Sequence, residues 1–254
     1  MIAWQAVGAT HTGRRRRGNE DAHRLDPERG IFLVADGMGG HAAGEIASGL
    51  AAATVATSLA AAGDRGTTGA GWDDAFRDAV RDAHAEITHC CAADIRTAGM
   101  GTTLTACVID PLGVCRVGHI GDSRAYLLRD RTLRQLTRDH TWVQRELEAG
   151  HILAKDAPTH PLNHILTRVL TADLSPEIDL LSIPLHPGDL VFLATDGLYN
   201  MLPDPGILAI IATDAPLSTR AASLLTAANR AGGADNITVV LISIEQSPGS
   251  VVLP

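Results

Sequence analysis

Four aspartates in this sequence stand where an apolar run meets glycine or another small polar residue. Asp36 follows Phe32-Leu33-Val34-Ala35 and precedes Gly37, and Asp122 lies between Gly121 and Ser123 after Val117-Gly118-His119-Ile120. Asp196 follows Val191-Phe192-Leu193-Ala194-Thr195 and precedes Gly197, and Asp235 leads into Asn236-Ile237-Thr238-Val239-Val240. One Asp-Gly pair is an ordinary turn former. Repeated at the ends of apolar strands, the same feature lets the carboxylates converge on one edge of a sheet. Converging carboxylates in a partly buried place repel one another and demand cations. Oxygen-only ligation suits hard ions such as Mg²⁺ or Mn²⁺, whereas the spacings of zinc and calcium motifs do not occur.

The elements that must position these groups are legible from periodicity. Ala3 to Ala9 and Gly30 to Ala35 read as strands, the second apolar enough to be central, and a glycine loop then gives way to an Ala-rich helix from Ala43. Trp72, Phe76, Val80, Ala83 and Ile87 recur at helical spacing, which predicts a helix from Trp72 to about Ile95. The middle of the chain changes period. Thr103 to Ile109, Val114 to Ile120, Arg124 to Leu128 and Thr132 to Leu136 predict a meander of antiparallel strands joined by turns. His140 to Ala149 reads as helical, and Gly150 to Asn163 as an irregular functional segment. Strands follow at Ile178 to Ile183, Leu190 to Ala194 and Asn236 to Ile244, with helices over Pro205 to Ala212 and Leu217 to Ala231. Strands in runs and helices in pairs indicate an α+β fold, with residues 1–245 as one domain and 246–254 as a short flexible tail.

Composition narrows the function classes. The chain has 254 residues, 45% of them hydrophobic and 20% charged, which are ordinary globular values. A net charge of −8 and 3% aromatic residues argue against a nucleic-acid surface. Ile46 to Gly63 carries no charge, but Ala, Ser, Thr and Gly dominate it, so it is expected to be a buried helix of a soluble protein with no membrane contact. Cys90, Cys91, Cys107 and Cys115 form no C-x-x-C pair, and Met1 to Trp4 lacks the layout of a signal peptide. A cytoplasmic monomer is expected.

The ordered set Gly13-x-x-Arg16-x-x-Asn19-Glu20-Asp21, Val34-Ala35-Asp36-Gly37-Met38-Gly39-Gly40-His41, Gly101-Thr102-Thr103, Gly121-Asp122-Ser123-Arg124, Leu136-Thr137-x-Asp139-His140, Thr195-Asp196-Gly197 and Asp235-Asn236-Ile237-Thr238 resembles the bacterial branch of the metal-dependent PP2C/PPM serine/threonine protein phosphatases. The resemblance spans nearly the whole chain. It implies a four-layer α-β-β-α sandwich of two antiparallel sheets flanked by helix pairs, with metals in a cleft at the sheet edge. By the same resemblance, Asp36 bridges two Mn²⁺ or Mg²⁺ ions, Gly37 offers its carbonyl to one, and Asp196 and Asp235 hold the other. Glu20, Asp21 and Asn236 would support directly or through water, Asp122 would bind a third ion, and Arg16 would grip the substrate phosphate. The implied reaction is hydrolysis of phosphoserine and phosphothreonine in proteins by metal-activated water, with no phosphoenzyme. A metal-bound water or His41 would protonate the leaving group. The implied partners are phosphorylated proteins, among them the substrates of an opposing bacterial Ser/Thr kinase.

Two positions depart from the family pattern. His11 stands where an Asp is common, which is expected to weaken metal binding, and Thr171 stands where Gly is usual, which bears on the mobility of the segment after His140. Rival readings are a non-catalytic module of the same fold, a dinucleotide site at Gly37-x-Gly39-x-x-Ala42, and a serine hydrolase with Ser123 as nucleophile. Arg14 to Arg17 otherwise reads as a solvated loop, with a nucleic-acid or anionic-lipid patch as the alternative.

Overall fold

The computed structural model describes residues 2–39 and 43–246. In chain order they form β1 (Ile2–His11), β2 (Asp21–Asp26), β3 (Ile31–Met38), α1 (Ala43–Asp64), α2 (Gly71–Ala93), β4 (Gly101–Thr102), β5 (Leu104–Ile109), β6 (Val114–Ile120), β7 (Arg124–Arg129) and β8 (Thr132–Gln135). Then come α3 (Trp142–Glu148), β9 (Leu170–Thr171), β10 (Asp179–Pro184), β11 (Leu190–Ala194), α4 (Asp196–Tyr199), α5 (Asp204–Ile211), α6 (Leu217–Arg230) and β12 (Ile237–Gln246). One sheet has the order β1-β12-β11-β7-β8; the other has β10-β6-β5-β3-β4-β9, with β2 also paired to β3.

Side-chain alternation along the strands builds the layers. In β3, Phe32 and Val34 face the other sheet and share a core with Val117, Leu127, Leu193 and Val240. Their neighbours Ile31 and Leu33 face outward onto α1 and α2, where Ala51, Val55, Leu59, Phe76 and Val80 meet them. On the far side Tyr126, Phe192, Val239 and Leu241 pack under α5 and α6 through Ile207, Ile211, Leu224 and Ala228. Both faces of each central strand are therefore covered. This is the expected four-layer sandwich, and its strands pair antiparallel throughout.

Helix α1 is long and apolar enough to cross a membrane by length and composition. Its small residues serve a different end, because Ala47, Ala51 and Ala52 let it lie close on β3 while Val55 and Leu59 reach α2.

Strand β2 escapes sequence reading because Asp21-Ala22-His23-Arg24-Leu25-Asp26 has no apolar face. Backbone pairing with β3 forms it, in a register that sets Asp21 opposite Asp36. The short pairings of β4 with β3 and β9 were likewise outside what periodicity shows. Helix α3 begins at Trp142, two residues after the expected start, because the Thr141 hydroxyl caps it by accepting from the Gln144 amide at 3.1 Å. Strand β12 includes Gln246, one residue past the expected domain limit; residues 247–254 lie outside the described residues.

Candidate metal and phosphate site

Antiparallel order brings alternate strand ends to one edge. The ends of β3, β6 and β11 and the starts of β2, β7 and β12 meet there, and they carry Asp36, Asp122, Asp196, Asp21 and Asp235. Two glycines let the backbones approach. A Cβ on Gly37 would lie 2.0 Å from the Gly44 carbonyl oxygen, and one on Gly197 would lie 1.9 Å from that of Asn236. An Asp-Gly dipeptide at these positions thus does more than turn the chain.

The carboxylates are short of donors. Asp21 Oδ2 accepts from Thr238 Oγ1 at 2.6 Å and Thr195 Oγ1 at 2.9 Å, while its Oδ1 is buried with no hydrogen-bond partner. Asp196 Oδ2 accepts from Asn200 Nδ2 at 3.0 Å, and its Oδ1 is likewise buried and unpartnered. Burial pushes the Asp21 carboxyl up to about 7 and the charges of Asp196 and Asp235 add to this, against the two threonine hydrogen bonds. Burial and then Asp235 raise Asp196 to about 6, against its contact with Asp36 and the charges of Arg16 and Arg124. Asp36 is raised well above the usual carboxylate range, by burial first and then by Asp21, Asp196, Asp122 and Asp235. Burial, with Asp196 and Asp139, lifts Asp122 to about 8. Without cations the cluster as a whole therefore retains protons near neutral pH that isolated carboxylates would have lost. Orphaned buried oxygens and mutual repulsion together fit a site for hard divalent ions, whose shells carbonyl and water oxygens would complete. Among the described residues, no group of three or more Asp, Glu, His or Cys side chains is arranged by itself to hold a metal ion.

Arg16 reaches the same cleft, its Nη2 lying 2.6 Å from Asp235 Oδ2. Partial burial opposes its charge, but Asp235, Glu20 and Asp36 outweigh that and keep the half-exposed guanidinium protonated. The loop that carries it is clamped by the turn before β12. Asn236 Nδ2 donates to the carbonyls of Thr12 at 2.8 Å and Gly18 at 2.9 Å, and its Oδ1 accepts from the Glu20 amide at 2.8 Å. The Arg14 amide adds a bond to the Gly233 carbonyl at 2.8 Å. The Asn236 side chain, expected to support a metal indirectly, bonds the backbone of the arginine loop and of Glu20, which sequence spacing could not reveal. Asn236→Ala removes three hydrogen bonds worth about 1 kcal/mol each. It is expected to lower stability by roughly 2–3 kcal/mol and to raise KM for a phosphopeptide more than it lowers kcat, as measured by denaturant unfolding and steady-state kinetics.

Glu20 lines the cleft beside Gly44, where a Cβ would meet its carboxyl at 2.8 Å, and its pKa is raised by burial against the pull of Arg16. The Glu20 carbonyl accepts from the Gly37 amide at 3.0 Å and the Ser48 hydroxyl at 2.6 Å, so the two halves of the metal motif are locked together.

The Asp122 turn is braced from outside the expected set. Tyr199 Oη donates to the Asp122 carbonyl at 2.9 Å, Arg124 lies 3.6 Å over the Tyr199 ring, and Arg124 pairs with Asp139 at 2.6 Å. Tyr199 and Asp139 lie far apart in sequence, and only the fold couples them to Asp122. Ser123 is buried, its hydroxyl 2.7 Å from Thr103 Oγ1, so the serine-hydrolase reading fails for want of an accessible nucleophile. The dinucleotide reading fails as well, because Gly37 lies inside an antiparallel strand and no parallel β-α-β unit surrounds it.

The two departures have local explanations. His11 Nδ1 accepts from the Gly13 amide at 2.8 Å and so closes the turn before the arginine loop. Thr171 is buried, donates through its hydroxyl to the Met100 carbonyl at 3.1 Å, and offers its own carbonyl 2.9 Å from His84 Nδ1. It fastens the end of the irregular segment to the α2 side of the molecule. Gly40 and His41 lie outside the described residues.

Comparison with known proteins agrees with this geometry. The family model for protein phosphatase 2C matches residues 7–230, and the chain belongs to that family. It is 37% identical over 242 residues to the serine/threonine phosphatase Stp of Listeria monocytogenes, covering 92% of this chain and 93% of that one. Its fold matches the crystal structure of the Mycobacterium tuberculosis serine/threonine phosphatase PstP/Ppp with a TM-score of 0.86 at 34% identity, over 97% of this chain and 100% of that one. A second structure, the PstP catalytic domain in complex with two manganese ions, matches with a TM-score of 0.83 at 33% identity over 97% and 100% of the two chains.

Proposed function

We propose that the protein is a Mn²⁺- or Mg²⁺-dependent phosphatase that hydrolyses phosphoserine and phosphothreonine in proteins. Membership of the family and the likeness to phosphatase relatives support the reaction. The observation that carries the metal assignment is the pair of buried, unpartnered oxygens on Asp21 and Asp196 among carboxylates that repel one another. Asp36 is assigned as the ligand shared by two ions, Gly37 as a carbonyl ligand of one, and Asp196 and Asp235 as ligands of the other. Glu20 and Asp21 support them, and Asp122 is assigned to a third ion.

When bound, the ions supply an activated water and polarise the phosphoryl oxygens. The chain contributes orientation and charge. Arg16 presents a planar fork to two phosphate oxygens, which stabilises charge on the equatorial oxygens as the bond to the leaving oxygen lengthens. With a cation on the carboxylate of its present partner, Asp235, Arg16 would be free to turn to the substrate phosphate. The Thr103 hydroxyl accepts from the Asp36 amide at 2.9 Å, and the Asp36 carbonyl accepts from the Thr103 amide at 2.9 Å, which fixes the aspartate's backbone during turnover. The leaving alkoxide takes its proton from solvent in the cleft or from His41.

The substrates are assigned as targets of a bacterial Ser/Thr kinase, and the enzyme as a cytoplasmic monomer whose four cysteines are free thiols. The test is phosphate release from a phosphothreonine peptide with Mn²⁺ and with excess chelator. Release that depends on Mn²⁺ is expected; equal rates under chelation, or no release in either condition, would overturn the reading in favour of a different chemistry or a non-catalytic module.

A further inference from the structure

The arginine loop carries more charge than phosphate capture needs. Arg14, Arg15 and Arg17 flank Arg16, all are exposed, and among the described residues none of the three forms an ion pair. Elsewhere Arg29, Arg77, Arg81, Arg96, Arg116 and Arg129 each hold a carboxylate, and although Arg24, Arg65, Arg131, Arg134, Arg220 and Arg230 also form no ion pair among the described residues, only this loop sets three such arginines within four consecutive residues. The chain as a whole is acidic, with a net charge of −8, so three unpaired guanidinium groups in the loop beside the acidic cleft stand out against the rest of the chain. The loop is held in place by Asn236 and by the Arg14 amide, so the charges are presented on a fixed backbone.

From this geometry we infer that Arg15 and Arg17, with Arg14, form a subsite for anionic side chains flanking the scissile phosphate. The inference rests on the phosphatase reading and names the substrate class that the site prefers. Arg16 Nη2 lies in the cleft 2.6 Å from Asp235, and the exposed Arg15 and Arg17 are its chain neighbours, so a substrate whose phosphate meets Arg16 passes within reach of their long side chains. With Arg16 on the phosphate, the flanking guanidinium groups stand beside the adjoining substrate positions. A carboxylate or a second phosphate there supplies the matching charge. Such exposed pairs steer association more than they hold the complex, and salt screens them. The preference is therefore expected in kcat/KM and at low ionic strength.

The test compares four phosphothreonine peptides with Mn²⁺: flanked by Ala and Ser, by Asp and Glu, by a second phosphothreonine, and by Lys. Wild-type protein at low salt is expected to favour the two anionic peptides over the neutral one by roughly tenfold in kcat/KM and to disfavour the Lys peptide. Comparing the Asp/Glu peptide with the doubly phosphorylated one identifies which source of charge is preferred. The preference is expected to shrink severalfold in 0.3 M salt, and in the Arg15→Ser/Arg17→Ser variant to approach unity. Arg134→Ser, the same charge change on exposed β8 at the other edge of its sheet from β1, is expected to retain it. Equal rates on all four peptides, or a preference that survives loss of Arg15 and Arg17, would overturn the inference while leaving the phosphatase reading intact. Binding of the wild type to anionic vesicles without discrimination among the peptides would also overturn it, in favour of a membrane contact. Absence of Mn²⁺-dependent release from every peptide would overturn both.

Discussion

Asp36→Asn is expected to reduce kcat on a phosphothreonine peptide by about 10³-fold or more, equivalent to about 4 kcal/mol of lost transition-state stabilisation. The carboxylate sits at the centre of the acidic cluster, raised well above its ordinary range by burial and by four other aspartates. An amide keeps its size and its backbone bonds to Thr103, but it cannot supply two anionic oxygens to a pair of cations. The amide is neutral without needing the proton that the buried carboxyl must hold in the metal-free cluster, so the fold is expected to survive, with a melting temperature at or above that of metal-free wild type. Turnover within tenfold of wild type at saturating Mn²⁺ would remove Asp36 from the proposed shared position. A variant that fails to fold would contradict the balance of charges described here.

Removing the metal is expected to produce the second large effect, on both turnover and stability. Chelated protein should release phosphate at the background rate, and its stability should fall as the pH rises. Asp196, Asp21 and Asp122 titrate at about 6, 7 and 8 in the folded chain. In the unfolded chain they return to the ordinary value near 3.9. Between about pH 4 and 8 the folded state therefore binds more protons than the unfolded state, and stability is lost as pH rises through that window, at about 1.4 kcal/mol per pH unit for each proton. Mn²⁺ replaces those protons, so it should raise the melting temperature more at pH 8 than at pH 6, and its apparent affinity should weaken as pH falls. Calorimetry at the two pH values, with Mn²⁺ or with chelator, measures both. A metal-free melting temperature that is constant or rises from pH 6 to pH 8 would contradict this account of the cluster.

The fold was legible in the sequence where one period ran long enough to leave a signal. The continuous apolar runs of β3, β11 and β12 are buried on both faces, and the three-and-four spacing of Trp72, Phe76, Val80 and Ile87 appears as the inner face of α2. It was not legible where backbone bonding alone makes the element. Strand β2 has a polar sequence and exists because β3 offers it a partner. Helix α4 is a single turn, begun by a Thr195-Asp196-Gly197 segment that looks locally like any other turn.

The candidate site divides in the same way. Asp36, Asp122, Asp196 and Asp235 were found from their position at strand ends, and the structure gathers them at one edge. Asn236 was placed in the right region with a different duty, because its neighbours Thr12, Gly18 and Glu20 are distant in sequence. Tyr199 is not marked by the sequence, and Asp139 is marked only as part of the Leu136-Thr137-x-Asp139-His140 motif with no role attached; each acts on Asp122 or its turn through Arg124 and the backbone.

By itself, then, the sequence determined which residue types are available for the chemistry and which faces are apolar, since both are written in local composition and periodicity. Tertiary structure alone decided the pairing of Asp21 with Asp36, the orphaned oxygens on Asp21 and Asp196, and the clamp on the arginine loop. These depend on distances between residues far apart along the chain, and on the burial that turns ordinary carboxylates into groups that must hold either a proton or a cation.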